Sequence, residues 1–148
     1  MDADATAREI VDRNRYLTLA TADATGRPWP APVWYAHDAY RAFLWVSRPD
    51  ARHSRNVAER PEVGIVIFDS TVPVGGAAAV YAEAVAAEVD AAEREAVIAT
   101  FSARSVATGL RPWGAGDVNG DAAHRLYRAT ASALYVLDAG DRRRPVAL

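Results

Sequence analysis

The segment from Val46 to Asn56 carries side chains that suit the binding of an anion. Its pattern predicts the end of a strand, a turn, and then a helix with cations in its first turns. Arg52 and His53 oppose the helix macrodipole, which favours carboxylates at that end. They fit an anion at the helix N-terminus, where free N–H groups and the hydroxyls of Ser47 and Ser54 would also converge on a phosphate. The alternative is a solvated basic face on a surface helix.

Aromatic residues form a second group that is suited to ligand binding. Trp34 and Trp45 fall on strands that the pattern predicts to be neighbours, where they would wall a planar ligand. The same side chains, Trp45 above all, would equally fill the core of a small barrel. Both interpretations stay open at this point.

The run from His124 to Arg128 lies in a predicted strand near the end of the chain. In a strand, His124, Leu126 and Arg128 share one face, whereas Arg125 and Tyr127 share the other. Either face therefore presents an arginine to a cleft or an interface. The alternative is an ordinary amphipathic strand with solvated arginines.

The composition excludes several kinds of chemistry. The chain has no cysteine, so it has no disulfide, thiolate nucleophile or cysteine-bound metal. It has no lysine either, because all 17 basic residues are arginine, and so no side chain can form a Schiff base. The three histidines fall in different elements without the spacing of metal ligands, so no metal site is predicted. No residue stands out as a catalytic acid or base, and the catalytic residues are left unknown.

Length and charge predict one soluble domain over residues 1–148. Hydrophobic residues make up 51% of the 148 residues, enough for a folded core. The net charge of −2 does not favour nucleic acid as a partner. No apolar run approaches the roughly 20 residues of a membrane span, and the acidic start lacks the features of a signal peptide. We therefore expect a cytoplasmic protein with no membrane partner.

The elements that must position these groups are six strands with short helices between them. Three prolines two residues apart, Pro28, Pro30 and Pro32, predict an edge or bulged strand whose far end, residues 33–36, pairs normally. The other predicted strands are 16–22, 42–47, 63–68, 79–89 and 124–138, with a hairpin connection over 37–41. The predicted helices are 4–14, capped by Asp4 or Thr6, then 51–60 and 90–107; 69–77 and 108–121 are loops, and 139–148 is a basic tail with little order. This pattern predicts a mainly β fold, a six-stranded barrel with α decoration.

Three motifs, in this order and spacing, resemble the FMN-binding split β-barrels related to pyridoxamine 5'-phosphate oxidase. They are Leu-Ala-Thr-x-x-x-x-Gly-x-Pro at 19–28, Ala-Pro-Val-Trp at 31–34, and Arg-His-Ser-Arg-Asn-Val-Ala-Glu-Arg-Pro-Glu-Val at 52–63. His-Arg-Leu at 124–126 is similar to the start of the family's late His-Arg-Leu-His motif.

The resemblance implies a homodimer with two FMN sites at its interface. It implies that the strand 31–36 runs along the flavin ring, that Arg52 and His53 hold the phosphate, and that Trp113 packs on the flavin. It also makes Arg125 and Arg128 candidates to reach into a ring site. The full set of implied cofactor-binding residues is Ala31, Pro32, Val33, Trp34, Val46, Ser47, Arg52, His53, Trp113, Arg125 and Arg128.

The chain departs from the family pattern at three positions. His53 stands where the family usually has a phosphate-binding lysine, Ala36 where true oxidases carry a lysine, and Tyr127 where a late histidine helps to hold the pyridoxal ring. The resemblance therefore implies an FMN-binding oxidoreductase with an unknown small-molecule substrate, rather than a pyridoxamine-phosphate oxidase. The alternatives on the same fold are a deazaflavin-dependent reductase and a non-enzymatic dimer that binds flavin or haem.

Overall fold

The computed structural model describes residues 2–148 of the chain. Over these residues it shows eight strands, three α-helices and one short 3-10 helix at Ala115–Val118. The elements in chain order are α1 (Ala3–Arg13), β1 (Tyr16–Ala22), β2 (Pro28–Trp34), β3 (Ala36–Asp38), β4 (Ala42–Ser47), α2 (Arg52–Glu59), β5 (Glu62–Phe68), β6 (Ala79–Glu88), α3 (Arg94–Ala107), β7 (Arg125–Leu137) and β8 (Arg143–Pro145).

The strands form one antiparallel sheet that curls into a split barrel. The strand order is β2-β1-β5-β6-β7-β4-β3, and β8 pairs with β7 outside this path. The two edge strands, β2 and β3, are separated along the chain by Tyr35 alone, so the sheet must curl until its edges meet. The prediction of a mainly β split barrel is confirmed. The predicted number of strands was wrong, because β3 and β8 are three-residue strands that the pattern assigned to a hairpin connection and to a tail with little order.

The proline-rich strand β2 is an edge strand, as predicted. It pairs with β1 alone, in a register that sets Pro28, Pro30 and Pro32 opposite Ala22, Ala20 and Thr18. Proline has no N–H, so an unbroken ladder requires the proline nitrogens to face away from β1. The free edge of β2 therefore offers carbonyl acceptors and no N–H donor along the proline positions. Residues 33–36 were predicted to pair normally. Val33 and Trp34 pair with β1, whereas Ala36, after Tyr35, pairs with β4.

Two apolar clusters fix the sheet from its two sides. The cluster inside the barrel includes Leu17, Leu19, Val33, Trp45 and Tyr127, with the rings of Trp45 and Tyr127 stacked 5.9 Å apart. The second lies between the outer face of the sheet and α3, and it comprises Ala36, Leu44, Val89, Ile98, Phe101, Val118 and Leu126. Trp45 thus belongs to the core, which decides between its two interpretations.

The observed boundaries of α2 agree with the predicted ones, whereas α1 and α3 begin at other residues than predicted. Asp2, not Asp4 or Thr6, caps α1, because its Oδ1 accepts the Ala5 N–H at 2.7 Å. The helix α3 begins at Arg94 rather than at residue 90. Within residues 2–148, no helix combines the length and the apolar character that crossing a membrane requires.

Candidate functional site

The start of α2 lacks the side chains that ordinarily neutralise a helix N-terminus. Its N-cap residue, Ala51, has no capping side chain, and no acidic residue occurs in the first turn. The hydroxyl of Ser54 donates to the Arg48 carbonyl at 2.7 Å, which fixes the turn between β4 and α2. The positive end of the helix therefore faces its surroundings with cations beside it and no carboxylate in its first turn.

His53 connects this helix to the end of β4. Its Nε2 lies 2.9 Å from Ser47 Oγ, and Ser47 is the last residue of β4. Burial lowers the pKa of His53 from its ordinary value of 6.5, because the half-buried imidazole loses solvation of its charged form. His53 is therefore mostly neutral at pH 7 in the free protein. The structure brings Ser47 and His53 together, as the sequence predicts for a shared site.

Arg52 lies on the other side of the same helix turn, against β2. Its guanidinium carbon is 4.1 Å from the centroid of the Trp29 ring. Among residues 2–148, Arg52 makes neither an ion pair nor a side-chain hydrogen bond. Its five N–H donors are therefore available to an anion.

Arg125 projects toward the Ser47 side of the sheet, whereas Arg128 is occupied elsewhere. Arg125 pairs directly with Ser47 across β4 and β7, and opposed residues of antiparallel strands share a face. Its guanidinium donates to the carbonyls of Gly120, Ala122 and His124 at 2.6–2.8 Å, so it holds the loop before β7. Arg128 forms a two-pronged ion pair with Glu93, at 3.1 and 2.8 Å, and stands apart from the other candidates.

An aromatic cavity of about 380 Å³ opens on the outer face of the sheet, beside α3. Trp34 and Trp113 each meet Phe101 edge to face, with ring centroids 5.2 and 5.6 Å apart. Val46 contributes to the same wall, and His124 lies at the rim. Val46 and Ser47 are consecutive in β4 and project to opposite faces, so the end of this one strand serves both the cavity and the anion-binding residues.

The predicted cofactor-binding residues of β2 lie partly in the core and partly at the surface. Ala31 and Val33 are buried, opposite Leu19 and Leu17 of β1, whereas Pro32 is exposed at the free edge. Any ligand along this strand would therefore meet Pro32, the backbone of the edge and Trp34. The side chains of Ala31 and Val33 support that surface from within.

Three residues of the site were not among the cofactor-binding residues that the sequence predicted. Trp29 supports Arg52, Phe101 joins the two tryptophans of the cavity, and Arg111 lies over the Trp113 ring with its guanidinium carbon 3.6 Å from the centroid. Phe101 appears in the sequence as one more apolar residue of a helix. Arg111 lies in a loop with no local pattern, so only the tertiary structure shows its place.

Comparison with known proteins places this geometry in a family. The family model described as Pyridoxamine 5'-phosphate oxidase matches residues 3–137. No curated protein sequence matches the chain.

Several solved structures share the fold at low sequence identity. A haem-binding protein from Mycobacterium smegmatis is 21% identical with a TM-score of 0.78, covering 99% of this chain and 58% of that one. This chain therefore spans less than two thirds of the length of that relative. The haem storage protein HutZ from Vibrio cholerae is 23% identical with a TM-score of 0.71, covering 92% and 95% of the two chains. An FAD-binding protein from Mesorhizobium loti is 17% identical with a TM-score of 0.69, covering 91% and 94%.

Proposed function

Because the chain belongs to the pyridoxamine 5'-phosphate oxidase family, we propose that it is an FMN-binding oxidoreductase whose substrate is a small molecule. The observation that carries the proposal is the uncapped start of α2, whose first turn carries the unpaired Arg52 guanidinium on its β2 side and His53, in contact with Ser47, on its β4 side. A phosphate there meets an unpaired guanidinium, an imidazole, a hydroxyl and the positive end of a helix. These donors suit a phosphate monoester such as that of FMN.

The ring of the cofactor has a matching surface next to the phosphate-binding residues. Trp34 and Val46 form part of the aromatic cavity, and Trp113 lies across it. Val46 is bonded to Ser47 and projects to the opposite face, so a ligand held at Ser47 by its phosphate would have to pass around the end of β4 to meet this wall. Pro32 and the carbonyl edge of β2 offer acceptors to a ring N–H. Ala31 and Val33 support this strand, and Arg125 projects toward Ser47 from β7.

The bound flavin would supply the hydride or electron transfer, and the protein would bind, orient and shield it. The chain has no lysine, so it cannot supply the lysine of true oxidases at Ala36, which is buried in the outer cluster. Tyr127, at the position of a late histidine, is stacked on Trp45 in the core. Because the residues at these two positions differ from those of true oxidases, we infer that the substrate is not pyridoxamine phosphate. No side chain is assigned as a catalytic acid or base.

The proposal includes a homodimer with the cofactor at its interface. A groove of about 590 Å³ runs along the outer face of β1, β5, β6 and β7. Its lining includes small and β-branched residues, two tyrosines and two charged residues of opposite sign: Thr18, Ala20, Gly64, Val66, Tyr81, Tyr135, Glu83 and Arg143. Near it, Phe68 of β5 is 46% exposed. A largely apolar sheet face whose charged residues are of opposite sign is suited to a second copy of the same surface.

A second candidate function is haem binding, which His124 favours. Its imidazole lies at the rim of a cavity walled by Trp34, Phe101 and Trp113, and among the described residues no hydrogen bond engages its ring. An imidazole beside apolar aromatic walls suits an axial ligand for haem iron. Two relatives by fold are described as a haem-binding and a haem storage protein.

An absorbance spectrum of the purified protein, followed by cofactor release and mass determination, tests these functions. Oxidised flavin bands with the mass of FMN support the proposal. A Soret band that His124→Ala abolishes would replace it with haem binding, and a blue-shifted deazaflavin band would replace it with a deazaflavin reductase. A protein that purifies without chromophore and binds none of the three would contradict all of them.

A further inference from the structure

Trp29 presents a large aromatic surface at the start of the edge strand β2. Its side chain is 39% exposed, and the Arg52 guanidinium covers the ring at 4.1 Å. At this distance the cation is attracted to the ring face, and this attraction restricts the positions that the guanidinium adopts. Trp29 thus limits the freedom of the group that the proposed function assigns to phosphate.

The backbone of Trp29 is held in place by a buried polar chain. Its carbonyl accepts the Thr21 hydroxyl at 3.1 Å, and the Thr21 oxygen accepts Asn56 Nδ2 at 3.0 Å. Thr21 and Asn56 are 4% and 5% exposed, so water does not compete for these bonds. Pro28 and Pro30 flank Trp29 and restrict the backbone on both sides.

The helix α2 is linked to Trp29 in two ways, one direct and one through Thr21. Arg52 and Asn56 are four residues apart in α2 and therefore share one face of it. One touches the ring of Trp29, and the other reaches its carbonyl through Thr21. His53, on the adjoining face, contacts β4 through Ser47. The helix therefore spans from β2 to β4, and its Arg52 and His53 side chains are supported by different strands.

We propose that Trp29 is a positioning residue that preorganises the Arg52 guanidinium for the phosphate of the bound nucleotide. The inference rests on the proposed function, because it concerns the same phosphate. A guanidinium that is already oriented loses less side-chain freedom on binding, so Trp29 strengthens phosphate binding without touching the ligand. The competing explanation is that the stack only stabilises the docking of α2.

The test compares FMN with riboflavin, which lacks the phosphate, in matched variants. Trp29→Leu removes the ring face, Trp29→Phe keeps an aromatic face, and Arg52→Ala removes the cation. We expect Trp29→Leu to weaken FMN about three- to tenfold with riboflavin unchanged, the range of a cation–π contact. Trp29→Phe should retain FMN affinity within about twofold. In the Arg52→Ala background, Trp29→Leu should have no further effect on FMN.

The outcomes separate this proposal from the one that it rests on. Equal losses for FMN and riboflavin in Trp29→Leu would show a structural role only, and an undiminished loss in the Arg52→Ala background would show direct contact with the ligand. Either result overturns the positioning role, as does a Trp29→Leu variant that binds FMN like the wild type. If Arg52→Ala alone fails to reduce FMN relative to riboflavin, the phosphate site itself is wrong. The Arg52→Ala measurement that decides this needs no Trp29 variant.

Discussion

The Nε2 atom of His53 lies 2.9 Å from the Oγ atom of Ser47, so the first turn of α2 contacts the last residue of β4. This contact closes one side of the proposed phosphate site. It also holds the imidazole where burial lowers its pKa. Two predictions follow from the unusual presence of a titratable histidine at this position.

The first prediction concerns stability against pH. The folded-state pKa of His53 lies below its unfolded value, so the unfolded chain binds more protons as the pH falls through about 6.5. The free energy of unfolding should therefore fall on acidification from pH 7.5 to 5.5 more steeply in the wild type than in His53→Gln. Urea unfolding of both proteins across this range measures the difference. Parallel curves would show that His53 is as solvated in the folded protein as in the unfolded chain.

The second prediction concerns FMN affinity. A phosphate beside His53 raises its pKa, so FMN binding takes up a proton and weakens as the pH rises toward the raised value. Protonation of the phosphate itself, with a second pKa near ~6, weakens binding at the acidic end. The profile should have a shallow maximum, whereas His53→Lys should hold FMN steadily above pH 7. Identical profiles for the two proteins would remove His53 from the site.

The third prediction concerns the turn between β3 and β4. Ala39 and Tyr40 have φ of 51° and 59°, the left-handed region that costs ordinary residues about 1–2 kcal/mol each. Tyr40 gains compensation, because its N–H donates to His37 Nδ1 and its hydroxyl to Asp12 Oδ2. Within residues 2–148 no such bond compensates Ala39, so Ala39→Asn should raise the free energy of unfolding by roughly 0.5–1 kcal/mol. Thermal unfolding measures it, and a destabilised Asn variant would contradict the turn geometry.

The fourth prediction concerns the proposed homodimer. Val66 lies in the outer groove of the sheet, between Thr18 and Tyr81. Val66→Glu would bury a second carboxylate, with Glu83, in an interface where the groove offers one arginine, Arg143, and should yield a folded monomer. Val66→Thr, similar in size and uncharged, should remain dimeric. Sedimentation velocity distinguishes them. A wild type that is monomeric at micromolar concentration with flavin bound, or a Val66→Glu variant that stays dimeric, would contradict the proposal.

Much of the fold was predictable because hydrophobic alternation is local. The alternation in Tyr16–Ala22 and the prolines of β2 gave the right strands and the right edge. The short strands β3 and β8 were missed, because three residues carry too little periodicity to distinguish a strand from a turn. The cap of α1 was assigned to the wrong residue, since Asp2, Asp4 and Thr6 are all suitable types and only the backbone geometry selects one.

The site was predictable in its local part and not in its tertiary part. The turn from Ser47 to His53 is contiguous, so its side chains were identified together. The Arg128–Glu93 pair joins residues 35 apart, and no sequence pattern indicated it. Likewise Phe101 meets Trp34 and Trp113 only because α3 packs on the outer face of the sheet. Whether Arg128 approaches a ligand stays a prediction.

The central claim is that this chain binds a flavin nucleotide through its phosphate at the start of α2. Titration of the protein with FMN and with riboflavin, followed by flavin fluorescence, tests it most directly in the wild type and Arg52→Ala. We expect the wild type to prefer FMN, and Arg52→Ala to lose roughly ten- to a hundredfold in FMN affinity while riboflavin affinity stays the same, as befits a charge-assisted hydrogen bond. Equal affinity of the wild type for the two ligands, or equal losses in the variant, would contradict the claim.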